Sequence, residues 1–383
     1  MKPIYLDNAA TSHPKPETVY QAVMDALRHG GSAGRGSYQL AQSTSRLIFE
    51  TRELLAELFH APDSDRFVFT ANATIAINQA LFGLLKKGDR VVTTSIEHNA
   101  VARPLRALQD RGVDVVKVGA DSHSAIVDLE DIQRECLKKQ TRLLIVNHCS
   151  NVVGSIQPIE TLGPWCKEQG IFFMVDGSQT AGALPINFET SAIDIFAAPG
   201  HKRLMGPQGT GFLYVAQGID LNPLVYGGTG ANSRSDLQPE CLPERLESGT
   251  LNIPGIAGLH AGLLFLQQKG INQIRQHDQK MVSRLMDGLQ VIDGVTVYGP
   301  QQIELRGEVV SFNIAGHDPS TIGFKLDQKD ISVRVGLHCA PDAHRTIGTY
   351  PDGTVRVSPG CFTTEDEIDC FLQAVTEISQ SEK

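Results

Sequence analysis

The sequence predicts an α/β protein with a mostly parallel seven-stranded sheet in a large domain and a smaller α+β C-terminal domain. Three observations carry this. Between residues 66 and 215, short β-rich runs alternate with helical stretches, the rhythm of strands joined by crossover helices. Several of those runs are nearly all apolar, as strands covered on both faces must be. The character of the chain then changes after a Gly-, Asn- and Ser-rich stretch at 227–235. A chain of 383 residues also exceeds the roughly 250 to 300 at which one core stops growing, so two domains are expected.

In order, the strands are predicted at 67–70, 91–95, 113–118, 143–148, 171–175, 193–197 and 211–215. Between them fall helices such as 74–85, with apolar Ile75, Ile77, Leu81, Leu84 and Leu85, and 99–111. Beyond 235 a long helical segment at 256–291 precedes short strands around 309–314 and 332–335, and a final helix runs over 364–378. The expected division is a large domain over 14–255 and a small one formed by 1–13 and 256–383.

Composition narrows the function. A net charge of -9, with Lys and Arg scattered among acids, offers no basic face for a phosphate backbone, so a small-molecule substrate is favoured over nucleic acid. Residues 1–11 lack the pattern of a signal peptide and no apolar run has the length of a membrane span, which predicts a cytoplasmic protein without a membrane partner. Seven cysteines without a C-x-x-C pair argue for free thiols rather than a disulfide framework, and no metal site is expected.

Chemistry enters with Ala198-Pro199-Gly200-His201-Lys202, which follows an apolar strand and precedes the glycine-rich run 206–211. A lysine so placed is set to have its amine desolvated and its pKa lowered, as a Schiff-base lysine requires. Alone it reads more simply as a solvated loop lysine, but its neighbours change the balance. Val175-Asp176-Gly177-Ser178-Gln179 puts an acid at the carboxyl end of a buried strand, where open α/β sheets bind ligands. The ring of pyridoxal 5'-phosphate (PLP) acts as an electron sink when its pyridine nitrogen is protonated, and a buried carboxylate holds that proton. Asp176 fits this role, against the commoner fate of a strand-end aspartate as a cap, and Gln179 has the reach for the phenolic oxygen. Residues 69–74 lead from a strand into a helix whose free amides favour an anion, with Thr74 adding a hydroxyl. His98, in Glu97-His98-Asn99, ends another strand at the same sheet edge, where its ring can stack on the pyridine.

Taken together these residues resemble the cysteine desulfurases of the class V aminotransferase family, fold type I PLP enzymes, over nearly the whole length. The likeness runs from Tyr5-Leu6-Asp7-Asn8-Ala9-Ala10-Thr11 through Glu97-His98-Asn99, His148-Cys149-Ser150-Asn151-Val152-Val153-Gly154, Val175-Asp176-Gly177-Ser178-Gln179 and Gly200-His201-Lys202. It ends with Glu247-Ser248-Gly249-Thr250, Arg334-Val335-Gly336-Leu337-His338-Cys339-Ala340 and Val355-Arg356-Val357-Ser358. The resemblance implies that Lys202 carries PLP, Asp176 pairs with the pyridine nitrogen, Gln179 binds the ring oxygen and His98 stacks on the ring and assists proton transfer. It places Ala73, Thr74, Ser178 and His201 around the phosphate, with Thr250 reaching a neighbouring subunit's phosphate in a homodimer. Asn151 would lie near the ring oxygen or the substrate carboxylate, Arg356 would grip that carboxylate, and Arg35 and Arg334 would border the pocket. Cys339 resembles the sulfur-accepting cysteine, on a compact loop like that of the selenocysteine lyase-like subgroup, with His338 and two arginines favouring its thiolate.

Two positions depart from the family pattern. Asn72-Ala73-Thr74 stands where Gly-Thr-Thr is usual, and Pro199 where a Ser or Thr is common, so backbone amides must make up the phosphate contacts. The implied reaction converts L-cysteine to L-alanine and leaves the sulfur on Cys339 as a persulfide, for a possible protein acceptor. Selenocysteine lyase on L-selenocysteine is the near rival, and an aminotransferase a weaker one. A nucleotide-binding oxidoreductase lacks its glycine-rich fingerprints here, and a non-catalytic scaffold is opposed by the joint presence of Lys202, Asp176, His98 and Cys339.

Overall fold

The computed structural model describes residues 3–32, 36, 38–230 and 234–380. The first half of the chain gives β1 (Ile4–Tyr5), α1 (Glu17–His29), α2 (Gln39–Phe59), β2 (Phe67–Thr70), α3 (Ala73–Leu84), β3 (Arg90–Thr94), α4 (Asn99–Gln109), β4 (Asp114–Val118), α5 (Leu129–Leu137), β5 (Leu143–Asn147) and α6 (Ile159–Gln169). The remainder adds β6 (Phe172–Asp176), β7 (Ile195–Pro199), β8 (Gly211–Val215), α7 (Ile253–Lys269), α8 (Ile271–Gln290), β9 (Val295–Tyr298), β10 (Val310–Ile314), α9 (Pro319–Asp327), β11 (Ile331–Ser332), β12 (Arg334–Gly336), α10 (Pro341–Thr346), β13 (Thr354–Val357) and α11 (Glu365–Gln380).

Seven strands form the large sheet in the order β2-β8-β7-β6-β5-β3-β4. Every pairing is parallel except those of β8, which runs antiparallel to both β2 and β7. Because side chains alternate across a strand, successive residues enter different cores. Val92, Leu144, Val146, Phe173, Val175 and Phe196 pack under α2, α5, α6 and α7. Val91, Leu143, Ile145, Met174, Ile195 and Leu213 pack against α3 and α4.

A four-stranded antiparallel sheet, β12-β13-β10-β9, forms a second layer, and β1 pairs in parallel with β11. Its core joins Phe312, Val355 and Val357 to Leu285 of α8 and Phe371 of α11. The N-terminal strand thus packs with C-terminal elements. Two expectations change. The helical segment at 256–291 breaks at Gly270, whose φ of 80° a residue with Cβ seldom adopts. Its first half, α7, straddles the expected boundary at 255, and Ile256, Leu259, Leu263 and Leu266 beyond it still enter the large-sheet core. The predicted strand at 332–335 is likewise two: Ser332 pairs with Tyr5, while Arg334 pairs with Arg356.

Candidate active site

Parallel strands β3, β5, β6 and β7 end along one sheet edge, where a doubly wound fold opens a crevice. A cavity of about 200 Å³ lies there, lined by Ala73, Thr74, His98, Asn151, Asp176, Ser178, Gln179, His201 and Lys202. Nine residues far apart in the chain and singled out from sequence therefore share one wall. Asn72, Ala100, Asn147, Cys149 and Pro199 complete it.

Asp176 closes β6, and the chain can turn there because Gly177 has no side chain; a Cβ would fall 1.9 Å from the Phe196 ring. Asp176 Oδ1 accepts from the Ser178 amide at 2.9 Å and the Ser178 hydroxyl at 2.5 Å. Burial pushes the carboxyl's pKa up, opposed by those two hydrogen bonds and by Lys202. The hydroxyl that the resemblance assigns to a phosphate is thus spent on Asp176. Gly200, after β7, admits Thr210 so closely that a Cβ would sit 2.3 Å from its hydroxyl oxygen. Lys202 follows, partly exposed into the cavity, with its amine pulled down to about 8 by desolvation and only partly restored by Asp176.

His98 caps α4, its Nδ1 accepting from the Ala100 amide at 3.0 Å. The ring proton therefore resides on Nε2. Burial first, then Lys202 and three arginines, hold its pKa near 4, so the imidazole is neutral at physiological pH. The neighbouring Glu97 is buried; its Oε1 accepts from Thr94 Oγ1 at 2.6 Å and the Asn147 amide at 3.1 Å, and desolvation raises it to about 8. At the start of α3, Asn72 Oδ1 takes the Ile75 amide at 3.0 Å. The first amides of a helix have no acceptor within it, which leaves those of Ala73 and Thr74 for an anion. His201 Nδ1 meets Thr11 Oγ1 at 3.1 Å.

Arg356 lies on β13 directly across from Arg334 on β12. Like charges so placed repel, and Asp7 of the N-terminal arm answers them: Arg356 Nη2 donates to Asp7 Oδ1 at 2.7 Å and Nη1 to the Asn151 carbonyl at 3.0 Å. Cys339 is exposed, with Arg334 Nη2 donating to its Sγ at 3.5 Å. Its carbonyl accepts from the Asn99 amide at 2.8 Å, so the cysteine loop docks on the first residue of α4, beside His98. One expectation is overturned: His338 cannot favour a thiolate by charge. It is buried, its pKa lies well below the ordinary value through desolvation, and its Nε2 is bonded to Thr354 Oγ1 at 3.0 Å.

Thr250 stands apart, lining a second depression of about 270 Å³ with Phe69, Ala71, Ile75 and Gly209. Arg35 lies outside the described residues. Sequence reasoning gave no role to Asn147, although it pairs with Asp176 in register and ends a strand in the same way. Asp7 and Glu97 lay inside quoted motifs, but their partners become visible only in three dimensions.

The cavity wall holds polar groups that the protein leaves incomplete. Asn147 Oδ1, Asn151 Oδ1 and Gln179 Oε1 are buried without a hydrogen-bond partner, an arrangement that costs free energy unless a ligand or water completes it.

This fold and site place the chain in a known class: it belongs to the Aminotransferase class-V family, whose profile matches residues 4–371. Particular relatives agree. A probable cysteine desulfurase of Methanothermobacter thermautotrophicus is 36% identical, covering 98% of this chain and 94% of its own. A cysteine desulfurase of Haloferax volcanii is 31% identical over 97% of this chain and 88% of its own. The apo structure of a cysteine desulfurase from Thermococcus onnurineus NA1 superposes with a TM-score of 0.92 at 33% identity, covering 99% of this chain and 95% of that one. The cysteine desulfurase CsdA of Escherichia coli gives 0.88 at 29%, covering 98% and 94%. The family's cofactor is PLP, and the residues present fit it: an amine of lowered pKa, a buried acid, free helix-start amides and three side-chain carbonyl oxygens without a partner around one cavity.

Proposed function

We propose that the protein is a PLP-dependent cysteine desulfurase that converts L-cysteine to L-alanine and takes the sulfur onto Cys339. The observation that carries this is the docking of the Cys339 loop on α4 at His98, which itself lines the cavity holding Lys202 and Asp176. Bound there, PLP supplies an electron sink for charge developing at the substrate α-carbon. Lys202 holds the cofactor, and its amine, when free and neutral, moves the α-proton. Asp176 keeps the pyridine nitrogen protonated, and the Ala73 and Thr74 amides with His201 take the phosphate. Neutral His98 offers a ring face for stacking and an Nε2 proton. The Arg356 guanidinium receives the substrate carboxylate, sharing itself with Asp7. The Cys339 thiolate attacks the substrate sulfur, so that an S–S bond forms as Cβ–S breaks; the electron pair stays with the carbon skeleton, which is protonated and leaves as alanine.

We read the assembly as a homodimer. Tyr20, Met24 and Leu27 on α1, Tyr38 beside α2 and Leu40 and Phe49 on it, and Leu224, Val225 and Tyr226 near Thr250 expose more apolar surface than scattered single residues explain. Thr250 then serves the partner's phosphate.

The test is product analysis with L-cysteine and a reductant. Alanine and sulfide should appear in equal amounts, Lys202→Ala should lose cofactor fixable by borohydride, and Cys339→Ala should keep PLP absorbance and lose most turnover. Undiminished turnover by Cys339→Ala on L-cysteine rejects the sulfur step. If that variant instead keeps full turnover only on L-selenocysteine, at a rate far above that on cysteine, the selenium substrate is the physiological one.

A further inference from the structure

We infer that His338 is a positioning residue for sulfur transfer: its buried imidazole anchors the two left-handed residues that present the Cys339 thiol. The inference rests on Cys339 being the sulfur acceptor.

The geometry starts from backbone. His338 and Cys339 have φ of 47° and 60°, two consecutive non-glycine residues in a region disfavoured by contact between Cβ and the backbone. Such a pair persists only where its surroundings hold it. Both carbonyls are tied: that of His338 accepts from Asn151 Nδ2 at 2.6 Å, and that of Cys339 from the Asn99 amide at 2.8 Å. Only one of the two side chains is anchored. Cys339 points to solvent with the Arg334 contact alone, whereas the His338 ring is buried beneath the loop.

A chain of hydroxyls fixes that ring. Ser311 Oγ donates to the Val152 carbonyl at 2.5 Å, which can only accept. Ser311 is therefore free to receive the Thr354 hydroxyl proton, at 3.1 Å. Thr354 has then spent its single proton and must accept from His338 Nε2, at 3.0 Å. The tautomer is thus set by a carbonyl three bonds away, and Nδ1 is left buried without a partner. With the Nε2 proton spent on Thr354 and burial opposing a charge on the ring, what it supplies is position. Asn151 joins the same device to the cavity: its amide holds the His338 carbonyl while its own carbonyl holds Arg356. The thiol's placement and that of the carboxylate-binding arginine are referred to one residue.

The experiment compares His338→Leu, His338→Gln and Thr354→Val in PLP-loaded enzyme. Gln retains an N–H donor near Nε2, Leu removes it, and Val removes the hydroxyl at constant shape. Three quantities are read: the change in cofactor absorbance on adding L-cysteine, the rate at which persulfide appears on the Cys339 peptide by mass spectrometry, and the iodoacetamide alkylation rate of that peptide. His338→Leu should lose ten-fold or more in persulfide rate and Thr354→Val three-fold or more, both with altered alkylation of Cys339. His338→Gln should stay within two-fold of wild type, and KM for L-cysteine should hold in all three. A merely structural role would lower the melting temperature and leave these rates alone. Should His338→Leu fold poorly, Thr354→Val decides: a wild-type persulfide rate in that variant, or His338→Gln as slow as His338→Leu, overturns the inference. Full turnover by Cys339→Ala would remove the reading beneath it and this inference together.

Discussion

Glu97 keeps a proton that an exposed glutamate would lose, because burial penalises its charged form by more than the two hydrogen bonds accepted by one of its oxygens favour it, and the other oxygen is buried without a partner. Its folded pKa of about 8 exceeds the unfolded value near 4.5, so the folded state binds the extra proton between those limits. Stability from this group is therefore full below 4.5 and lost as pH rises through 8, at about 1.4 kcal/mol per pH unit. In pH-dependent denaturation, Glu97→Gln should gain on wild type over that window; a difference independent of pH would show Glu97 ionised throughout. Arg356 makes a second case. Replacing its planar fork by Lys removes bidentate recognition worth about 1.5 to 3 kcal/mol, so Arg356→Lys should raise KM for L-cysteine ten-fold or more with cofactor absorbance unchanged. Lys202 and Asp176 stood out in the sequence because each follows an apolar strand and lies within two residues of a glycine. Asp7 was not, since the arginine it neutralises lies 349 residues away, and His338 was misjudged because its charge depends on burial that no local pattern reveals.

At the scale of elements, the strand-to-loop corners set the site. Gly177→Ala would force a methyl into the Phe196 ring, and overpacking of this kind costs about 1 to 3 kcal/mol; the expected result is a lower melting temperature together with weaker PLP retention, because the same shift moves Asp176. The loop after β7 is fastened on its far side too. Arg203, next to Lys202, is buried and ion-paired with Asp278 of α8. Removing one partner of a buried pair leaves the other charge uncompensated, at about 3 to 5 kcal/mol. Asp278→Ala should lose that much in urea denaturation, and a change below about 1 kcal/mol would mean that solvent already reaches Arg203. The large-sheet strands were legible to within a few residues because apolar runs bounded by turns leave little choice. The split between β11 and β12 was not, because both pieces satisfy the same alternation and only their different partners, Tyr5 and Arg356, separate them.

For the whole molecule, buried neutral histidines define an acid limit. His148 and His344 are buried, and desolvation lowers them to about 3 and about 4. The unfolded chain takes up protons below 6.5 that the folded chain refuses, so stability falls from there toward pH 4 by about 1.4 kcal/mol per unit for each. Melting temperatures of the apoprotein should drop steeply across that range, and a flat profile would mean that these rings are solvated. The layered plan was readable from alternation alone, whereas the membership of α7 was not, because an amphipathic helix does not announce which core it covers. The N-terminal arm carries a further consequence. Tyr5 lies on Ser332, the Ala9 carbonyl accepts from Gln179, and the Ser12 amide donates to the His201 carbonyl. During translation this arm is made before its partner strand, which follows more than three hundred residues later, on the order of tens of seconds at about 5 to 20 residues per second. Nascent chains arrested before residue 331 should consequently fail to retain the vitamin-derived coenzyme, however complete their large sheet.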